Sequence, residues 1–323
     1  MTEPSSLETS TEAAVNPGGV IPADAKTTDN DNGNDDGNGN GNDNNGRCGC
    51  CRDLFYGTNV DSIGYNYLVI GRGFLIISNL LLTTSFLWLA MSAAGCFDDP
   101  DYAGGPCDKR VHGILPASFI TNIAVFGGLG SAILMPLAGA YVDFTPYRRK
   151  VGIISASGMT IIQALQIGTV ESTWFASVIL QGVAVVFYQV QNMAVYAYIP
   201  EIGREVGQRE MTRITAHYVS NQFSAQAIYL IVIGVIQFVA KPSVVATGQI
   251  SQGLNTATCL AMFGTGWFRY MSFRPAIRNL PEGRGLCSAG FRQNWETAKN
   301  IRKHFNKGLW WFFFALCFAR ACE

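Results

Sequence analysis

The chain has 323 residues, 48% of them hydrophobic and only 14% charged, with 35 glycines and 20 phenylalanines, a composition that leans toward membrane proteins. Its formal net charge of zero hides a split, because residues 1–66 hold eleven acids against three bases and the remainder holds twenty bases against twelve acids. Net charge therefore says little about partners, and no nucleic-acid partner is expected.

The first 46 residues contain no apolar run, so no secretory signal peptide is expected there and the first hydrophobic segment must direct insertion. Residues 29–46 contain only Asp, Asn and Gly. Such a tract has nothing to bury and cannot offset its ordering entropy, so residues 1–66 are read as an acidic disordered tail. Calcium loops need ligands at fixed spacing and a closing Glu, which the tract lacks. Cys48, Cys50 and Cys51 follow it. They are read as S-acylation sites or free thiols, since zinc needs four ligands and no His lies nearby.

Crossing a ~30 Å hydrocarbon core takes ~20 mostly apolar residues, and six stretches qualify: 68–95, 114–142, 151–170, 173–199, 218–240 and 243–266. The sixth is diluted by Gln249, Ser251, Gln252, Asn255 and Thr256 and could instead be re-entrant. A seventh run begins at Leu309, and the chain is expected to stop part-way through it. Backbone groups in lipid must be bonded internally, so these segments are expected to be helices. The predicted fold class is thus an all-α integral membrane protein: a tail (1–66), a six-helix bundle (67–266), a basic loop (267–308) and the start of a truncated seventh helix (309–323). The bilayer is its expected surrounding.

Orientation follows from the bases. The loops 143–150, 200–217 and 267–308 carry fifteen Lys and Arg, against Lys109, Arg110 and Lys241 in the alternate loops. The positive-inside rule puts the first set and the N-terminus in the cytosol. Cys96 and Cys107 then share the first non-cytosolic loop, where a disulfide is permitted.

PLAGAYVDFTPYRRK, residues 136–150, closes the second span. It resembles the loop motif of the major facilitator superfamily, with Gly139 and Asp143 at its first and fifth positions and Arg148, Arg149 and Lys150 as its basic end; Pro146 stands where the usual glycine would. The resemblance implies an N-terminal facilitator half whose loop acts as a gate latch. Gly139 would let a second helix pack closely, and Asp143 would be compensated by helix dipoles and arginines. The spelling GAYVDFTPYRRK, with NMAVYAYIPEI (192–202) and SFRPAIRNLPEG (272–283), is similar to the autophagy-related vacuolar effluxer family. That resemblance covers about 115–310. It implies export of small polar solutes, neutral amino acids among them, from a vacuole or other endomembrane compartment to the cytosol by alternating access. It also implies a C-terminal half that this chain does not contain. The first span departs, since GRGFLIISNLLLTTSFLWL shows neither the acid nor the Gly-Trp-Tyr start looked for there.

Polar side chains inside spans tend to face the bundle interior. On this ground Asn79 and Thr83 of the first span, Gln181, Gln189 and Asn192 of the fourth, and Asn221, Gln222 and Gln226 of the fifth are candidate solute-facing residues. The competing reading is that these amides glue helices together. No acid falls mid-span. Arg72, between two glycines, is expected in the first turns of the first helix, snorkelling to the interface, with a substrate-carboxylate role as the alternative. A non-transporting six-span membrane scaffold or regulatory protein, derived from a transporter half, is the competing function. No cofactor or metal is expected and enzymatic activity is not: there is no Ser-His-Asp set, no phosphate loop, no metal spacing, and the histidines (112, 217, 304) are scattered.

Overall fold

The computed structural model of the chain describes residues 59–97, 107–280 and 285–304, with three single positions beyond. The Asn/Asp/Gly tract, Cys48, Cys50, Cys51 and nearly all of the 309–323 run lie outside the described residues. Helix α1 spans Val60–Ala93, α2 Pro116–Phe144, α3 Arg148–Gln166, α4 Trp174–Tyr196, α5 Ile199–Val206, α6 Gln208–Ala240, α7 Val244–Gly264 and α8 Leu286–His304; a π-helical turn, Thr265–Tyr270, extends α7. The described residues form no strand, and a single bridge pairs Val111 with Ile114.

The ends of these helices are written locally. The Asn59 side chain accepts from the Asp61 amide at 2.8 Å and caps α1. Pro116 opens α2, where its missing N–H costs nothing. Lys241 takes a left-handed conformation (φ 45°) to end α6, Pro242 prevents continuation, and Ser243 caps α7 through the Ala246 amide at 3.2 Å.

Several expected boundaries move. Helix α1 begins at Val60, so residues 60–66, assigned to the tail, are its first turns. They are polar (Asp61, Ser62, Asn66) yet buried against other helices, which is why an apolarity criterion passes over them. Arg148, Arg149 and Lys150 form the first turn of α3 rather than a loop. The stretch 200–217 is helical, in α5 and the start of α6, and 267–308 contains the π turn and α8.

Among the described residues, four segments are long and apolar enough to cross a membrane: Val60–Ala93, Pro116–Phe144, Trp174–Val206 and Arg209–Ala240. The expected third and sixth spans exist as α3 and α7, of 19 and 21 residues, but fall short of the others in apolarity. Their polar groups are turned inward: Ser155, Gln163 and Gln166 of α3, and Thr247, Ser251, Gln252 and Asn255 of α7, are all buried. Outward faces carry large apolar side chains such as Phe126, Ile154, Phe223 and Phe238, the last 83% exposed, as a lipid-facing surface requires.

Helix α1 packs along α6 and α7, α4 packs along α2 and α3, and α3 touches α7. The α1 contacts rest on the triplet Gly71-Arg72-Gly73. A Cβ on Gly71 would stand 2.7 Å from the Phe263 ring of α7, and one on Gly73 would stand 2.6 Å from the Gln222 carbonyl of α6. Successive residues are rotated by ~100°, so the two glycines seat neighbours on either side and Arg72 projects between them. Gly73→Val is expected to lower stability by about 1–3 kcal/mol through overpacking. Gly182→Ala, at a position with nothing nearby, is expected to leave it unchanged or slightly raised. Thermal unfolding in detergent compares the two, and equal behaviour would contradict the close α1–α6 approach.

Candidate functional site

Charged side chains collect at the end of the bundle where α1 and α3 begin and α4 ends. Asp61 Oδ1 accepts from the Ser272 amide at 2.7 Å, and its Oδ2 accepts from the Ser272 hydroxyl at 2.8 Å and Arg274 Nε at 3.0 Å. Arg274 Nη2 also binds Asp61, Nη1 pairs with Glu205, and Nε lies 3.7 Å from Glu201. Arg148 closes the chain of charges: it donates to Glu201 at 3.1 Å and to the Ala197 carbonyl at 3.0 Å, with its guanidinium 5.0 Å from the Tyr198 ring centroid. Three acids and two bases thus tie α1, α3, α5 and the segment after the π turn together. Hydrogen bonding to Glu205 first, and then to Asp61, pushes the Arg274 pKa above its ordinary value despite some desolvation, so this base stays charged.

The predicted gate residues divide between different jobs. Arg148 is buried in the network just described. Arg149 donates to the Trp267 carbonyl at 3.0 Å and the Phe268 carbonyl at 2.9 Å, satisfying backbone acceptors of the π turn. Lys150 is exposed, 4.5 Å from the Tyr147 ring centroid. Asp143 forms no ion pair among the described residues. Its side chain accepts from Gln293 of α8 at 3.3 Å, and its carbonyl accepts from the Ile277 and Arg278 amides at 2.9 and 3.0 Å. Gly139 does not carry the close approach expected of it, since a Cβ there would meet only Met193 Sδ at an ordinary 3.5 Å. Tight contacts on α2 lie elsewhere: a Cβ on Gly127 would stand 2.8 Å from Val185 of α4, and one on Gly290 of α8 would collide with the Pro136 carbonyl.

Sequence reasoning missed Asp61, Glu201, Glu205 and Arg274 as members of this network. The signal for two of the positions was present: Arg274 lies in SFRPAIRNLPEG and Glu201 in NMAVYAYIPEI, and the fold brings those two segments within ion-pairing distance. An acid does stand at the start of α1: Asp61, one residue in, with Gly64-Tyr65 following it.

Of the candidate solute-facing residues, three are spent on structure. Gln181 accepts from Gln166 at 2.9 Å between α4 and α3. Asn221 donates to Asn66 at 2.9 Å between α6 and α1. Thr83 bonds back to the Asn79 carbonyl at 2.8 Å. Asn79, Gln189, Asn192, Gln222 and Gln226 are buried or half-buried, and the Asn79 side-chain oxygen is enclosed without a partner among the described residues. Arg72 Nη1 donates to the Tyr196 hydroxyl at 2.8 Å, which fixes where α1 crosses α4. Asn79 and Gln189 each lie seven residues from that crossing on antiparallel helices, hence at one level ~10 Å beyond it. Gln222 lies level with it through Gly73.

Arg72 does not fall in the first turns of α1. It is twelve residues, ~18 Å, from the start of α1 and only 7% exposed. At the opposite end of the bundle Cys96 and Cys107 are joined in a disulfide with Cα atoms 6.1 Å apart. A cavity of about 850 Å³ between α2, α3 and α4 is lined almost wholly by apolar side chains such as Phe126, Ile154 and Val183 and includes none of the predicted residues. It suits acyl chains rather than a polar solute.

No curated protein and no solved structure matches the chain. A family model does, over residues 114–320, which is more than half of the chain and includes Asp143, Arg148, Glu201 and Arg274 of the charged end. The all-helical fold, its membrane-length apolar helices and that match agree: the chain belongs to the vacuole effluxer Atg22-like family of membrane transporters.

Proposed function

We propose that residues 60–270 form a six-helix facilitator bundle that moves small polar solutes, neutral amino acids foremost, out of a vacuole by alternating access. The observation that carries this reading is the pairing of helices. Exchanging α1, α2 and α3 with α4, α6 and α7 turns the α1–α6 and α1–α7 contacts into the α4–α2 and α4–α3 contacts, and leaves α3–α7 unchanged. Two units of three crossings each must enter the membrane from opposite sides. That is the inverted repeat expected of a facilitator half, with a solute site near mid-membrane where α1 crosses α4. The charged end then acts as the gate on the cytosolic side, the side to which the basic 267–308 segment also belongs. Neither the gate nor the site needs a cofactor.

Vesicles carrying the full-length protein and loaded with labelled leucine, tyrosine or lysine test the activity. Efflux of the neutral amino acids above that of empty vesicles is expected, and no excess for any solute would refute it. Orientation is read separately. Cys287 is exposed on α8, so in a variant retaining it as the sole reactive thiol, a membrane-impermeant maleimide should label it from the cytosolic face of intact vacuoles. Labelling only after lysis would invert the topology.

A further inference from the structure

Three charged side chains are buried among the described residues: Asp61, Arg72 and Arg148. Asp61 is neutralised by Arg274 and Arg148 by Glu201. Arg72 has no carboxylate. Among the described residues its one hydrogen-bond acceptor is the neutral Tyr196 hydroxyl, whose ring lies 5.0 Å from the guanidinium carbon. An unpaired cation at this depth of a spanning helix is costly, and residues of that kind mark solute and ion pathways. The sequence holds it there deliberately, because Gly71 and Gly73 clamp α1 between α7 and α6 and leave the guanidinium facing α4.

We propose that Arg72 is the carboxylate anchor of the solute site, so that this bundle selects solutes bearing a carboxylate group. The inference rests on the transport reading above and deepens it. A guanidinium with one N–H given to a tyrosine keeps further donors for a carboxylate, and such charge-assisted pairs are the strong hydrogen bonds of proteins. Tyr196 covers the guanidinium and is itself 48% exposed, so it can yield its place to an arriving anion without disturbing the core. Asn192, one turn back along α4 and without a hydrogen-bond partner among the described residues, offers an amide oxygen to an ammonium group beside that carboxylate. The deeper level of Asn79 and Gln189 would meet the rest of the solute.

The test uses the detergent-purified full chain and three probes of one shape: leucine, 4-methylpentanoate, which lacks the amine, and leucinamide, which lacks the carboxylate. Thermal stabilisation reports binding. Leucine and 4-methylpentanoate should stabilise the wild type, and leucinamide should not. Arg72→Gln should demand about 10- to 100-fold more ligand for the same shift, Arg72→Lys less, and the exposed Lys150→Ala should match the wild type. If Arg72→Gln does not fold, the three-probe comparison and Arg72→Lys still decide. Leucinamide acting as well as leucine, or a full response in Arg72→Gln, overturns the anchor while leaving amino-acid transport intact. Stabilisation by 4-methylpentanoate through Arg72 with no response to leucine keeps the anchor and refutes neutral amino acids as the solute. No response to any probe overturns the anchor, and leucine efflux in vesicles then tells whether the transport reading survives.

Discussion

Arg148→Ala is expected to destabilise the bundle by about 3–5 kcal/mol, while Lys150→Ala changes stability by no more than about 0.5 kcal/mol. Arg148 is 1% exposed, and its removal strands two partners at once. The Ala197 carbonyl loses a charge-assisted donor, and Glu201 is left with only the 3.7 Å approach of Arg274. Breaking one side of a buried pair costs more than the pair contributes, because the surviving charge stays desolvated. Arg149→Ala should fall between, at about 1–2 kcal/mol, since it frees two carbonyls of the π turn that water can partly reach. Lys150 lies over an exposed tyrosine, and surface cation–π contacts are weak. Denaturation of the three variants in one detergent gives the ranking. Three equal and small effects would mean that the bases serve only as a topology signal, and the network would lose its structural role.

The sequence disclosed this end of the molecule unevenly, for physical reasons. Asp143, Arg148, Arg149 and Lys150 could be found because they are adjacent in one motif. Their separate tasks could not, because each depends on what the fold carries past them: Glu201 from α5, the π turn after α7, and α8. The first two turns of α1 were hidden by the search for apolar runs. A helix that buries Asp61, Ser62 and Asn66 against Arg274, Tyr218 and Asn221 is polar where it is most enclosed. The same inversion lowers the apolarity of α3 and α7, whose buried glutamines and serines face other helices. Arg72 was placed in the first turns of α1 as a direct consequence of starting that helix eight residues late. The polar residues of α1, α4 and α6 were legible as a set, but which were glue emerged only when partners such as Gln166 for Gln181 could be seen.

Asp61→Asn is expected to slow transport far more than it weakens solute affinity, and more than Asp143→Asn does. The two acids differ in what holds them. Asp61 meets Ser272 and the Nε and Nη2 of Arg274, whereas the Asp143 side chain meets one amide. An asparagine at 143 can still bond Gln293. At 61 both carboxylate oxygens accept, so an asparagine must turn its NH2 toward either the Ser272 amide or the Arg274 donors; one contact becomes repulsive and the segment after the π turn loosens from α1. Eleven residues separate Asp61 from Arg72, or ~16 Å of helix, so Asp61 cannot touch a solute held there. Its loss must act on the balance between access states. A contact that biases this balance by about 1–3 kcal/mol shifts the populations roughly 5- to 150-fold when it is broken. Initial rates and half-saturation concentrations, measured for both variants in the same vesicles, separate the cases. The maximal rate should fall at least about tenfold in Asp61→Asn, with the half-saturation concentration within about threefold of wild type and Asp143→Asn affected less. If Asp61→Asn instead keeps its maximal rate and raises only the half-saturation concentration, the charged end belongs to the solute site and is not a gate.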